Sequence, residues 1–306
     1  MSVIVTGAAG QFGRAAASLL LERLPASELV FVTRNPDRLS DLARRGAEVR
    51  TGDFDDPSTL RTAFAGGEKM LLISTARVGG RVQQHRNALE AAKAAGVRHV
   101  AYTSSVGISP DNPAIVIRDH MATEKMLEQS GMAWTFLRDN HYAEAVATAI
   151  APRAVATGEW IASAGEGRIG SVSRDDCVAS AVGVLTTPGH ENRAYTLTGP
   201  RAWSFREMAG LLTRLTGRPV EYRLVSDEEM FAMFDALGVP RRPVDDQVVN
   251  NIPWCSEDMV TYEQSIRGGW FDAVTGDVEA LTGRPPISLE AVLTDHLDLI
   301  KGAAAG

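Results

Sequence analysis

Short apolar runs alternate with segments of helical periodicity through the first half of the chain. The runs are rich in Val, Leu and Ile and end near glycine or polar residues, which is typical of buried parallel strands. Between the first two runs, Phe12, Ala16 and Leu20 recur at helical spacing and form one apolar face. This alternation predicts an α/β fold of the Rossmann type, a parallel sheet with helices on both faces. The strands are predicted at residues 2–6, 29–33, 47–51, 70–75, 99–104 and 134–138.

The alternation weakens after about residue 150. Further strands are predicted at residues 159–163 and 193–198, and further helices at residues 174–185, 204–215, 227–237 and 288–300. Residues 239–287 are rich in Pro, Gly and Trp and give no clear assignment. We therefore expect a Rossmann domain over residues 1–150 and a smaller α/β C-terminal lobe over residues 151–306, partly interleaved with the sheet.

Composition and charge narrow the class of protein. The 306 residues are 44% apolar and 23% charged, which is ordinary for a globular enzyme. The net charge of −7 argues against a nucleic-acid partner, because such proteins usually carry a basic excess. Two cysteines, Cys177 and Cys255, cannot form a disulfide framework, and the chain opens on a strand with no apolar run long enough to cross a bilayer. We expect a cytoplasmic protein with no membrane partner, either a monomer or a dimer.

Three glycines follow the first predicted strand and open the first helix. Gly7 allows the tight turn, Gly10 lets the backbone approach a diphosphate that a Cβ would strike, and Gly13 lets the helix pack closely. Amide groups at the start of a helix then face the anion. The position between a strand and a helix is what distinguishes this motif from a chance match, and it predicts dinucleotide binding.

The end of the second strand predicts which dinucleotide binds. An acidic residue there would bond a ribose 2′-hydroxyl, whereas this chain has Arg34, whose guanidinium suits a 2′-phosphate. Arg38 can assist it. Asp53 is placed either to accept a hydrogen bond from adenine or to shape a turn. The expected cofactor is NADP(H), and the residues expected to bind it are Gly7, Ala9, Gly10, Gln11, Phe12, Gly13, Arg34, Asp53, Phe54, Ser74, Thr75, Thr103 and Lys125.

The chain resembles a known family in several motifs, which are TGAAGQFG, TRNP, GDFDDPSTL, HMATEK and LRDNHY. These are similar to motifs of the NmrA-like group of atypical short-chain dehydrogenase/reductases, in particular its triphenylmethane reductases and type 2 quinone oxidoreductases. The resemblance runs over nearly the whole chain. It implies NADPH binding, a substrate lobe and reduction of quinones, dyes or related conjugated compounds. NmrA-like proteins also include non-catalytic redox sensors.

The expected reaction centre lacks one group. In the larger short-chain family a tyrosine four residues before a lysine donates a proton, but here Met121 stands four residues before Lys125. A thioether cannot donate a proton, so hydride addition to a quinone, whose reduced form is a stabilised phenolate, fits better than ketone chemistry. The remaining candidates for a catalytic role are Lys125, His120 and Tyr142. No His or Cys cluster has zinc-ligand spacing.

Three functions therefore stay open at the level of sequence. The first is an NADPH-dependent reductase of quinone-like or other conjugated small molecules, with a flat aromatic substrate as its partner. The second is a lignan or isoflavone type of reductase in which Lys125 acts as the acid. The third is a non-catalytic NADP(H)-sensing regulator. Aromatic walls for a substrate pocket are expected from Trp254 and Trp270.

Overall fold

The computed structural model describes residues 2–244 and 255–302, and Trp254 lies outside these ranges. Its main sheet has seven strands in the order β3-β2-β1-β4-β5-β6-β9, and two small sheets pair β10 with β8 and β11 with β7. The predicted α/β fold is confirmed. The strands are β1 Val3–Val5, β2 Leu29–Thr33, β3 Glu48–Thr51, β4 Lys69–Leu72, β5 His99–Ser105, β6 Ala133–Asp139, β7 Glu159–Ala162, β8 Arg168–Ile169, β9 Arg193–Leu197, β10 Trp203–Ser204 and β11 Glu221–Leu224.

Fourteen α-helices lie in the described ranges, with a short π-helical segment at Val146–Ile150. They are α1 Gln11–Arg23, α2 Ser40–Arg44, α3 Pro57–Ala63, α4 Arg81–Ala94, α5 Ile115–Gln129, α6 Ala143–Ala145, α7 Ala151–Thr157, α8 Arg174–Thr186, α9 Phe205–Thr216, α10 Asp227–Ala236, α11 Ser256–Arg267, α12 Asp277–Thr282, α13 Leu289–Asp295 and α14 Leu297–Gly302.

Three predicted elements differ in extent. The single helix expected over residues 288–300 is two helices, because His296 leaves helical geometry (φ −103°, ψ 11°). The sequence predicts a helix over residues 120–130, whereas helix α5 begins five residues earlier, at Ile115. Strand β4 ends at Leu72 and not at Thr75, because side chains bind the next amides.

The strand order of the sheet reverses direction at β1, which lies between β2 and β4. Val3 is in parallel register with Leu29 on one side and with Lys69 on the other. The β2–β3 and β4–β5 pairs are also parallel. In open α/β sheets, ligands bind beyond the carboxyl ends of the strands at such a reversal. The loops after β1, β2, β4 and β5 are therefore the first place to look for a site.

The chain forms two compact units, each built from separated segments. Unit 1 comprises residues 1–105, 119–138 and 177–195, and unit 2 comprises residues 106–118, 139–176 and 196–306. The chain thus enters unit 2 well before the boundary expected near residue 150. Unit 1 has a core that includes Tyr102 and Phe136, and unit 2 has its own core around Trp160 and Phe271. Within the described ranges, every helix is too short or too polar to cross a bilayer.

Candidate dinucleotide site

The loop between β1 and α1 has the geometry of a phosphate-binding turn. Gly7 has a positive φ of 60°, which an L-residue with a side chain rarely adopts. The amide of Ala8 donates to the carbonyl of Val32, and that of Gly10 donates to Gly7. Helix α1 begins at Gln11 without a hydrogen bond from a capping side chain. The first amides of α1 therefore remain available to an anion, as a diphosphate requires.

The other two glycines of the motif have different roles. A Cβ on Gly13 would lie 2.4 Å from the Gly7 oxygen and 2.7 Å from the Ala8 Cα, so only glycine fits. The close contact of α1 is therefore with its own loop. A Cβ on Gly10 would meet only the Gly7 oxygen, at 3.2 Å, and the space beyond it is open. This open cradle fits a diphosphate.

The remaining motif residues surround the cradle. Gly10 and Gln11 are exposed, Ala9 is half-buried, and Phe12 is buried in unit 1. The start of α1 therefore faces solvent, and the Phe12 ring is buried beneath it. The arrangement leaves Gln11 free to contact a bound nucleotide.

A cationic surface follows β2. Arg34 and Arg38 are exposed. Nearby, the Arg14 guanidinium donates to both carboxylate oxygens of Asp41 (2.9 and 3.0 Å) and to the Arg38 carbonyl (3.2 Å). The bond to Arg14 lowers the pKa of the Asp41 carboxyl. Asp41 thus offsets Arg14, whereas the described contacts leave the guanidinium groups of Arg34 and Arg38 available for a phosphate.

The turn after β3 uses Asp53 structurally. One oxygen of its carboxylate accepts the amide of Asp55 (3.0 Å), and its own amide donates to Thr59 (3.0 Å). Asp53 and Phe54 are both half-buried. The turn function that the sequence left open is therefore present, and it uses one of the two carboxylate oxygens.

The ends of β4 and β5 are joined by hydrogen bonds. The amide of Ser74 donates to Oγ1 of Thr103 (2.8 Å), and the Thr75 hydroxyl donates to Gln84 (2.7 Å). Thr103 is buried, whereas Ser74 and Thr75 are half-buried. Thr103 thus supports the loop that carries the other two.

His120 does not have the surroundings of an acid that meets substrate. It is 6% exposed, and its Nδ1 and Nε2 contact the Tyr102 hydroxyl (2.8 Å) and the Arg81 guanidinium (3.2 Å). Burial, followed by the charge of Arg81, holds its pKa well below the usual value. Both ring nitrogens are engaged, so the sequence-based expectation of direct proton transfer finds no geometric support.

Lys125 lies on the side of α5 that faces solvent, away from the buried His120. It is exposed, and Met121, one turn earlier, is half-buried. The preceding residue, Glu124, is buried and binds Arg138 in bidentate fashion (3.0 and 2.7 Å) and Ser104 (2.6 Å). The bond from Glu124 raises the pKa of Arg138. Helix α5 is therefore fixed to the ends of β5 and β6 by Glu124, and it presents Lys125 outward.

In unit 2, Tyr142 follows the end of β6. Its hydroxyl donates to Oδ2 of Asp139 (2.6 Å), and the Arg174 guanidinium lies 5.4 Å from the centre of its ring. The phenolic proton is thus already bonded to a carboxylate. Trp270 is half-buried and packs against the unit 2 core, so its surroundings are those of a core residue.

Sequence reasoning missed a group of buried polar residues in unit 1. They are Arg81, His85, Tyr102 and Glu124, each less than 9% exposed. One local pattern was informative, since Arg81 and His85 are one turn apart and both interrupt an otherwise small and apolar face of α4. Tyr102 and Glu124 gave no such indication, because a strand tyrosine and a helix glutamate are ordinary at their positions.

Comparison with known proteins agrees with this geometry. The sequence pattern of the family described as NAD(P)H-binding matches residues 7–188. Quinone oxidoreductase 2 of Escherichia coli (strain K12) is 40% identical over 238 residues, which cover 78% of this chain and 82% of that protein. The NAD(P)H azoreductase of Xenophilus azovorans is 34% identical over 247 residues, 79% of this chain and 84% of that protein.

Solved structures give the same result. The triphenylmethane reductase of Citrobacter sp., solved as a complex with NADP(H), superposes with a TM-score of 0.83 at 32% identity. The match covers 97% of this chain and all of that one (100%). The resemblance inferred from the motifs is therefore confirmed, and the chain belongs to the NAD(P)H-binding family.

Proposed function

We propose that this protein is an NADPH-dependent oxidoreductase that reduces quinone-like or other conjugated small molecules. The observation that carries the proposal is the open glycine cradle at the uncapped start of α1, with Arg34 beside it. The relatives support the acceptor class, since they are named for quinone, azo and triphenylmethane compounds. We further assign the thirteen cofactor residues named from the sequence to this site.

The absence of a proton donor at the expected position favours such acceptors. Bound NADPH supplies a hydride ion, which is a proton together with two electrons. Met121 cannot donate a proton, His120 is enclosed, and Tyr142 already donates to Asp139. A quinone needs no strong acid, because hydride addition gives a phenolate, which takes the one proton that it needs from water. The task of the protein is then to hold the two reactants in register.

Purified protein should oxidise NADPH in the presence of quinones, with one hydroquinone formed for each NADPH consumed. The assay follows the loss of NADPH absorbance with a panel of quinones, azo dyes and triphenylmethane dyes. A panel without turnover, combined with tight binding of both NADPH and NADP⁺, would instead support the sensing regulator. Cys177 and Cys255 are both buried thiols, which is compatible with the cytoplasmic location that we propose.

Replacing Lys125 with methionine separates the two enzyme functions. If Lys125 only binds the cofactor ribose, Lys125→Met should raise the KM for NADPH by about tenfold and leave kcat for a quinone within about threefold. If it is the acid of a lignan or isoflavone type of reductase, kcat should fall by two or more powers of ten, as loss of a general acid does. Steady-state kinetics with Lys93→Met, an exposed lysine on α4, provides the control.

Arg34 is expected to set the preference for NADPH over NADH. Loss of a charge-assisted bond to the 2′-phosphate costs about 1.5–3 kcal/mol, so Arg34→Ala should weaken NADPH binding by roughly 10- to 100-fold. NADH binding should barely change, because NADH lacks that phosphate. Fluorescence titration measures both affinities. Arg23→Ala removes the same charge in the last turn of α1 and should leave the ratio of the two unchanged; an unchanged ratio in Arg34→Ala would remove this residue from the phosphate site.

A further inference from the structure

The loop after β4, residues 73–80, is held by side chains at both ends. Strand β4 stops at Leu72, and the next three amides bond outside the sheet. They donate to three different parts of unit 1. The amide of Ile73 donates to Oγ1 of Thr6 (3.1 Å), and that of Ser74 donates to Oγ1 of Thr103 (2.8 Å). The amide of Thr75 donates to Nε2 of His85 (3.2 Å). Near its other end, the amide of Gly79 donates to Asp119 (3.2 Å). Such a loop has little freedom to move.

Thr75 is bound at both of its backbone polar groups. Its amide donates to His85, and its carbonyl accepts from Nε of Arg81 at 2.6 Å. Both partners lie in the first turns of α4 and are buried, with His85 0% and Arg81 5% exposed. They are too deeply buried to meet a substrate themselves, and the loop residue that both of them contact is Thr75.

The bond from Thr75 to His85 requires one tautomer of the imidazole. The hydroxyl of Thr123 donates to the Asp119 carbonyl (2.9 Å), so towards Nδ1 of His85, 2.9 Å away, it can only accept. The ring proton therefore lies on Nδ1. Nε2 is left as an acceptor, which is what the Thr75 amide needs. Thr123 on α5 thus determines whether His85 can hold the loop.

The same logic extends to the second histidine. Arginine can only donate, so Nε2 of His120 accepts from Arg81 and its Nδ1 proton faces the Tyr102 hydroxyl. Burial lowers the pKa of His85 to about 3 and holds that of His120 well below its usual value. Both rings are therefore neutral at working pH, as these hydrogen bonds demand.

We propose that His85, in the tautomer fixed by Thr123, is a positioning residue for the bound cofactor. It acts by holding the Thr75 peptide, together with Arg81, in the place where the loop meets the ligand. The proposal rests on the proposed function, because Ser74 and Thr75 are among the residues that we assign to the cofactor. It adds a buried supporting layer to that site, which includes a residue on another helix.

Two substitutions at His85 separate positioning from folding. The amide of glutamine reaches the place of Nε2 and can accept from Thr75, whereas the shorter asparagine reaches only the place of Nδ1. His85→Asn should weaken NADPH binding and raise its KM by about tenfold, because the Thr75 amide loses its acceptor. His85→Gln should stay within about threefold of the wild type. The affinity is measured by fluorescence titration, which needs no turnover, and kcat is measured in the quinone assay.

Thr123 provides a test that changes neither the loop nor His85 itself. Thr123→Val removes the group that fixes the tautomer of His85 and should weaken NADPH binding about as much as His85→Asn. Thr123→Ser should restore it. Thr135→Val is the matched control, because it breaks the contact between Oγ1 of Thr135 and Nε2 of His99 (2.8 Å), another buried histidine–threonine pair in unit 1. It should lower Tm but leave the NADPH affinity unchanged.

The outcomes are distinct. If His85→Asn does not fold, the Thr123 and Thr135 variants decide the matter. Lower Tm in Thr123→Val with wild-type NADPH affinity, as in Thr135→Val, would overturn the positioning role and leave the proposed function intact. Failure of the wild-type protein to bind NADPH would instead overturn the proposed function.

Discussion

Gly10→Val is expected to weaken NADPH binding by roughly 100-fold or more while the protein stays folded. The backbone at Gly10 (φ −77°, ψ 169°) suits any L-residue, and the added Cβ would meet only the Gly7 oxygen at 3.2 Å. The rest of the side chain would occupy the cradle and push the diphosphate away from the first amides of α1. Loss of one or two charge-assisted bonds, about 2.7 kcal/mol in total, corresponds to this factor. Fluorescence titration with NADPH and thermal denaturation measure the two effects.

A second glycine provides a control that separates the effect of filling the cradle from the effect of replacing a glycine at a helix start. Gly276 is also an N-cap glycine, at α12, and its Cβ would meet nothing within 4 Å. Gly276→Val should therefore change Tm about as much as Gly10→Val and leave NADPH affinity as it was. Equal affinities in all three proteins would refute the assignment of the loop to the diphosphate.

The protein is expected to lose a large part of its stability between pH 6.5 and pH 4.5. Burial lowers the pKa of His85 to about 3, those of His99 and His141 to about 4, and that of His120 well below its usual value. In the unfolded chain these rings take up protons as the pH falls through about 6.5, whereas in the folded chain they stay neutral. The unfolded state then binds more protons, so stability falls with falling pH.

Buried carboxyls oppose this trend. Burial raises the pKa of Glu263 to about 7, so the folded state holds its proton below that pH, whereas the unfolded chain takes up this proton only as the pH falls through about 4.5. Burial also raises the pKa values of Asp119 and Asp176. Each proton of net difference changes stability by about 1.4 kcal/mol per pH unit, so the four histidines outweigh these carboxyls and several kcal/mol are lost over two pH units. This is a large part of the roughly 5–15 kcal/mol by which whole domains are stable.

Calorimetry at a series of pH values between 7.5 and 4.5 checks this expectation. His99→Gln keeps a donor towards Thr135 but cannot titrate, so its Tm should depend less steeply on pH than that of the wild type. A Tm that is level from pH 6.5 to pH 4.5 would show that the histidines are not held neutral by the fold.

The sequence by itself determined the alternation of strands and helices and the geometry of the glycine loop that we assign to the diphosphate. Both are local properties. Periodicity shows within a single element, and the three glycines act through backbone freedom and close approach within one turn, which the structure shows at Gly7 and Gly13. Arg34 is similar, since its position at the end of a strand follows from counting residues along the chain.

Only the tertiary structure decided which polar side chains face the core and which face solvent. His120 and Lys125 lie five residues apart on one helix and are equal candidates by sequence, but packing of α5 buries the first and exposes the second. The end of β4 was likewise decided by other elements of the fold. The hydroxyl groups of Thr6 and Thr103 and the imidazole of His85 accept the hydrogen bonds that a neighbouring strand would otherwise accept. These contacts join residues 10 to 67 positions apart, and hydrogen bonds between such distant residues leave no periodic trace in the sequence.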